Sequence, residues 1–472
     1  MKSFFLIISI SFHILYSIYS LPTFSYSFPI SSPISSPIVC APYTAFGGKL
    51  PNLSFVNGNP FFSWDHIPVF AHTGRTTGLT DAEKQYFATH PFSTVTIPKF
   101  EGILTNPANL EAETKITKTA RDIMSFNPHA NIMFYLSIIE DFQNYNLHCT
   151  IKANRADLTD KLKKFVTLNT LTPVPIVNCS PLKVIGMVSY VDCFDHTKPV
   201  TLRILSNFSD EIMNTRAFKG FFLDRSQENA EILTKTNPSW KLISVRKQNR
   251  WNVGHRNAIA FMGYYNSPQL TIANGLEIDA INGKKIGYMF EQMQFDFTGL
   301  SFYEVVLKLQ RMGGEGRVIQ VNAKPCGPDS VGEILLGNAK AKMSSKSIRA
   351  ITMSGFLIGA CKYSYYSCNG GFVSDKPNSL QTCWHKEYNQ LLGPPLGKAF
   401  QIKIRNTYVF YRSFGHGVNV YLQILSDTTQ YFANACICWN DSTELCSDGL
   451  YCKNMTSLYN FSSVKLVDDG CK

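Results

Sequence analysis

Two carboxylic acids stand where a chain could use them. Asp224 closes the run Gly220-Phe-Phe-Leu-Asp224, and Glu291 closes Ile286-Gly-Tyr-Met-Phe-Glu291. A carboxylate directly after a short buried strand is carried to the strand's end by rigid scaffold. Two such acids facing each other can act as general acid and base, or as nucleophile and acid. The alternative for each is an ion pair with a cation such as Arg225 or Arg256. Glu101, Glu140, Asp141, Glu277 and Asp279 follow other apolar runs and compete for the same roles. Of these, Glu101 is read as a substrate-binding acid.

Neutral groups at strand ends suit hydroxyl recognition. Asn274-Gly275 follows one apolar run, so an amide can hold a hydroxyl where the Gly permits close approach. Asn322-Ala-Lys324 follows another; Lys324 would bind an anionic group or pair with an acid. Tyr363 and Trp251 are the aromatic candidates for packing on a sugar face. The histidines show no metal spacing and no His-Glu-x-x-His. No Gly-x-Ser-x-Gly elbow and no Walker motif is present. Gly313-Gly-Glu-Gly316 ends a helix and precedes a strand, the reverse of a phosphate cradle. No cofactor and no metal is therefore expected.

These residues need elements to position them. Eight short apolar runs occupy the chain: Ile67–Ala71, Thr94–Ile97, Ile132–Leu136, Gly220–Leu223, Leu270–Ala273, Ile286–Phe290, Val318–Val321 and Gly355–Ala360. They lack strict alternation, as strands buried on both faces do. Helical patterns lie between them. Thr80-Asp-Ala-Glu83 is a capping box that opens a helix over 81–89. Others run over 111–126, ending before Asn127-Pro128, and over 303–312, ending at Gly313-Gly314. Eightfold strand–helix alternation predicts an α/β fold, a (β/α)8 TIM barrel over 60–375. In such a barrel strands four and six bring Asp224 and Glu291 close across the mouth. The stretch 137–219 is too long for a simple connection and reads as an excursion over that mouth.

The flanks differ in kind. Residues 1–20 have the order of a signal peptide, and 21–40 form a Ser/Pro-rich tether. Aromatic and alternating runs over 395–430 predict a small antiparallel sheet. A Cys-rich cap over 431–472 holds Cys436, Cys438, Cys446, Cys452 and Cys471, read as disulfides rather than zinc ligands. Thirteen Cys in all, with sequons at Asn52, Asn178, Asn207, Asn440, Asn454 and Asn460, point to an extracellular or secretory setting. No apolar stretch suits stable membrane insertion. The net charge of +11 is not clustered enough for nucleic acid. It argues against a polycationic substrate and leaves neutral or acidic glycans open.

Five segments, in order, resemble a known group. They are Phe70-Ala-His-Thr-Gly-Arg75, Gly220-Phe-Phe-Leu-Asp224, Ile272-Ala-Asn-Gly275, Gly287-Tyr-Met-Phe-Glu291, and Trp384-His-Lys-Glu-Tyr388 through Leu392-Gly-Pro-Pro-Leu-Gly397 to Tyr411-Arg412. The chain resembles the glycoside-hydrolase-like barrel families related to secreted endo-α-1,4-polygalactosaminidases. It departs from them in the 137–219 excursion and the Cys-rich tail. The resemblance implies glycosidase chemistry on a poly- or oligosaccharide. It also assigns Asp224 as the ionised partner, nucleophile or base, and Glu291 as the acid. The alternative is a non-catalytic secreted carbohydrate-binding or surface protein on an inactive barrel. The separation of the two carboxylates in one open cleft discriminates between them.

Overall fold

A computed structural model gives the fold. It describes residues 52–454 except 74, 76, 100, 103–111, 143, 157–163, 166–189, 228, 231–243, 266–268, 294–299, 324–330, 337–338, 369–383 and 427–430. The signal peptide and tether expected over 1–40, Lys324 and Cys471 lie outside the described residues. No helix among the described residues is long and apolar enough to cross a membrane.

Eight strands close into a parallel barrel in chain order: β1 (Val69–His72), β2 (Phe92–Ile97), β3 (Ile132–Ser137), β4 (Gly220–Asp224), β5 (Leu270–Asn274), β6 (Gly287–Phe290), β7 (Ile319–Ala323) and β8 (Ser364–Cys368). Their residues are buried, Asp224 alone among them reaching intermediate exposure. This explains the unbroken apolar runs, since one face meets the barrel interior and the other the surrounding helices. Phe70, Met133, Phe222, Ile272 and Met289 fill the interior. Alternation then sends Asp224 and Asn274 inward at the C-terminal rim.

Helices α1 (Asp81–Thr89), α2 (Ala112–Phe126), α3 (Asn146–Ala153), α4 (Pro199–Asn214), α5 (Val245–Tyr265), α6 (Phe302–Gly314) and α7 (Ser345–Gly359) connect the strands. The box on α1 forms as its residues predict: Thr80 Oγ1 accepts from Glu83 N, and Glu83 accepts from Thr80 N. Ser301 and Glu304 repeat it on α6. No helix joins β5 to β6; Asp279 and Lys285 bridge a loop there instead. A short 3-10 helix, Lys386–Asn389, stands between β8 and the small sheet.

One expected strand is a helix. Gly355–Ala360 belongs to the end of α7, and β8 is Ser364–Cys368. Helix α7 is buried nearly all round because it packs against both the barrel strands and the small sheet. A helix so enclosed has no polar face, so its apolar run imitates a buried strand.

The small sheet has five antiparallel strands in chain order: β9 (Phe400–Ile404), β10 (Thr407–Ser413), β11 (Asn419–Ser426), β12 (Tyr431–Cys438) and β13 (Glu444–Cys446). The first part of the Cys-rich tail is thus a continuation of the sheet. Cys436 pairs with Cys446 across β12 and β13, and Cys438 pairs with Cys452. Buried Arg412 ties sheet to barrel. Its guanidinium donates to the carbonyls of Leu357, Ile358 and Ala360 at 3.0, 3.2 and 2.6 Å. A cation there satisfies the open carbonyl end of α7.

Gly220 shows how tightly β4 is seated. A Cβ at this position would lie 1.8 Å from the Leu270 carbonyl oxygen of β5. Gly220→Ala is expected to cost about 3 kcal/mol or more, since backbone must move to admit the methyl group. Urea unfolding checks this; an unchanged midpoint would contradict the packing of β4 on β5.

Candidate active site

The C-terminal rim brings Asp224 and Glu291 together through Asn274. The Asn274 side-chain amide donates at 2.9 Å to Asp224 Oδ1 and at 2.8 Å to Glu291 Oε2. Two hydrogens of one planar amide diverge by ~120°, so ideal geometry at both bonds corresponds to bridged oxygens about 5 Å apart. Strand order produces this arrangement: Asp224 ends β4, Asn274 ends β5 and Glu291 follows β6, three neighbours in the barrel. Asn322, buried on β7, donates to the Glu291 carbonyl at 3.1 Å and fixes the backbone that carries the second acid. Asp224 and Glu291 are half-buried, whereas Asn274 and Asn322 are buried.

Asp224 is held through both of its oxygens. Its Oδ1 also accepts the Arg225 amide at 2.9 Å, and its Oδ2 accepts the Tyr135 phenol proton. Arg225 has φ +59°, the left-handed region, which turns the chain sharply after the carboxylate. Its guanidinium runs to Glu140 at 3.0 Å. Lys99, just past β2, donates to the Tyr135 oxygen at 3.0 Å. Its ammonium lies 3.9 Å from the centre of the Phe142 ring and 4.0 Å from Glu140.

These neighbours set the charge. Burial alone would raise the Asp224 pKa. The Lys99 charge, the hydrogen bonds from Tyr135 and Asn274, and the Arg225 charge outweigh burial and hold the carboxyl below its ordinary range. Burial and the nearby Asp224 charge push the Tyr135 phenol well above its usual value, so it stays a donor. Burial lowers the Lys99 ammonium, with Glu140 and Asp224 acting in the opposite direction.

Three predicted site residues stand elsewhere. Glu101 is 1% exposed and accepts from the Arg75 and Leu79 amides at 2.9 and 2.8 Å and from Thr119 at 3.1 Å. Its carboxylate is engaged in holding the β1–α1 loop. Trp251 is fully buried on α5, donates to the Phe194 carbonyl at 2.9 Å and stacks on His255 with rings 5.0 Å apart. Burial leaves it no face for a sugar. Tyr363 precedes β8 because the strand begins later than its apolar neighbours suggest, so it lies at the N-terminal end, opposite the rim. Glu277 and Asp279 pair with Arg311 and Arg317 at 2.6 and 2.8 Å.

The site also has members that the apolar runs did not single out: Tyr135, Lys99 and Arg225. Tyr135 had a readable signal. In β3 the inward positions are Met133, Tyr135 and Ser137, and a polar tip two residues below a strand end reaches the rim. Lys99 and Glu140 lie beyond the ends of β2 and β3, where sequence leaves the chain path undetermined.

Among the described residues, the group with metal-like proximity is Cys436, Cys446 and Cys452. All three are in disulfides, which leaves no thiolate to bind an ion.

No protein-family model and no curated protein sequence matches the chain. Solved structures that it is similar to include the glycoside hydrolase domain of PelA from Pseudomonas aeruginosa, at 11% identity, covering 67% of this chain and 98% of that one, TM-score 0.37. A debranching enzyme of Nostoc punctiforme matches at 11% identity over 78% of this chain and 90% of that one, TM-score 0.36. An α-amylase from Geobacillus thermoleovorans matches at 7% identity over 83% and 96%, TM-score 0.38. At TM-scores below 0.5, the barrel and the rim stand on their own geometry.

Proposed function

We propose that the chain is a secreted glycoside hydrolase that cleaves a poly- or oligosaccharide with Asp224 and Glu291. The observation that supports this reading is the Asn274 amide donating to both carboxylates; ideal geometry for that bridge corresponds to about 5 Å, the range of retaining glycosidases. Asp224, held ionised and aimed, attacks the anomeric carbon. Glu291 protonates the departing glycosidic oxygen. Glu291 then takes a proton from water, which attacks the same carbon and releases Asp224. Asn274 touches both acids and so preserves their spacing through both steps. Asn322, buried behind Glu291, holds the backbone that carries the acid.

Exposure of the sequon residues Asn52, Asn207, Asn440 and Asn454, together with the disulfides, supports the secreted setting. The order of motifs favours a relationship to the polygalactosaminidase-type barrels, while the +11 net charge favours neutral or acidic glycans over polycationic ones. Incubation of the secreted protein with a glycan panel tests the reading through new reducing ends. Release from at least one neutral or acidic glycan is expected. Tight binding without release would support the carbohydrate-binding alternative and overturn this one.

A further inference from the structure

Tyr135 is 3% exposed and has one proton to give. Lys99 donates to the phenol oxygen at 3.0 Å, so that side of the oxygen is occupied by a donor. The phenol proton is left to Asp224 Oδ2, where the structure puts it. Lys99 is itself confined, packed on the Phe142 ring with Glu140 beside it. Glu140 also receives Arg225, so one anion balances both cations near Asp224. Among the described residues, the charged or titratable groups facing Asp224 include Lys99 after β2, Tyr135 on β3, Glu140 after β3, Arg225 after β4 and Glu291 after β6.

We propose that Lys99 and Tyr135 are a positioning pair for Asp224: Lys99 commits the phenol proton to Oδ2, and together they fix the carboxylate's orientation and its negative charge. Glu140, just past β3, anchors the pair. The functional consequence rests on Asp224 being the nucleophile; the pairing does not. A nucleophile gains from being already ionised and already aimed. Tyr135→Phe leaves Oδ2 without its donor, and Lys99→Met removes the cation, so each makes the anion less favourable.

The test is a carboxyl-carbon NMR titration of the full chain labelled at aspartate. The Asp224 signal is assigned by its loss in Asp224→Asn. Wild type should titrate below the ordinary aspartate range. In Tyr135→Phe and in Lys99→Met the Asp224 midpoint should rise by about one pH unit, and Lys99→Arg should restore most of the wild-type value. An unmoved midpoint in folded Tyr135→Phe overturns the proposal, and that variant decides alone should Lys99→Met fail to fold. A shifted midpoint in a protein that cleaves no glycan keeps the pair and removes the glycosidase reading. An unshifted midpoint in an active enzyme does the reverse.

Discussion

Asp224→Asn is expected to abolish turnover, and Glu291→Gln to reduce it about a hundred- to ten-thousandfold, with folding intact in both. The two losses should differ in kind. Without Asp224 no glycosyl ester forms, so even an activated aryl glycoside stays uncleaved. Without the Glu291 proton, a good leaving group still departs, because a dinitrophenolate needs no acid. The glycosyl ester then accumulates, since no base remains to activate water. Added azide needs no base and should restore turnover in Glu291→Gln, giving a glycosyl azide of retained configuration. Both variants are nearly isosteric and keep the Asn274 bridge within reach, so circular dichroism should stay close to wild type. Near wild-type turnover in either variant would remove that residue from its role.

The second large effect is on stability in acid. His90, His196, His255 and His385 are held neutral by burial, which pulls His90 and His196 down to about 4, His385 to about 3 and His255 well below its ordinary value. Unfolded histidine takes up its proton near 6.5. Between there and about 4 the unfolded chain binds more protons than the folded one, so stability is full above pH 6.5 and falls as pH falls. For His196 alone the lost stability approaches ~3 kcal/mol at pH 4, at 1.36 kcal/mol per unit. His196 and His255 hold backbone next to the candidate site. Their Nε2 protons donate to the carbonyls of Ile138 and Ser226 at 2.7 and 3.1 Å, one just past β3 and the other two residues past Asp224. Their rings lie 5.1 Å apart, so charging both would also be repulsive. Asp224, with its lowered pKa, contributes stability that persists until pH drops below the ordinary aspartate range, so its loss falls in a separate, lower window. Melting temperature measured from pH 7 to 4 should decline steadily, and His196→Gln should flatten the slope. A flat profile over that range would contradict the burial of these histidines.

The sequence carried the barrel well because buried parallel strands and capped helices leave strong local marks. Gly220-Phe-Phe-Leu-Asp224 reads as a strand ending in an acid and is one, and the Thr80–Glu83 box forms as written. The marks failed where burial removed contrast. Helix α7 is enclosed on both sides and reads as a strand, which displaced β8 and carried Tyr363 to the wrong end. Trp251 and Glu101 are buried away from the rim acids for a related reason. Residue type proposes a role, but only packing decides whether an indole has a free face or a carboxylate a free oxygen. Asn274 was legible as a rim amide, yet its contact with both acids follows from three-strand adjacency that no single segment encodes. Lys99 and Glu140 meet at Asp224 only because separate connections return to the rim.

The most direct test is the anomeric configuration of the product, followed by proton NMR from the first moments of digestion of a glycan the wild-type protein cleaves. The separation of about 5 Å that ideal geometry gives the Asn274 bridge predicts that the first-formed sugar keeps the configuration of the bond that was broken, mutarotating only later. A first-formed product of the opposite anomer, or a panel in which no glycan is cleaved at all, would contradict the account.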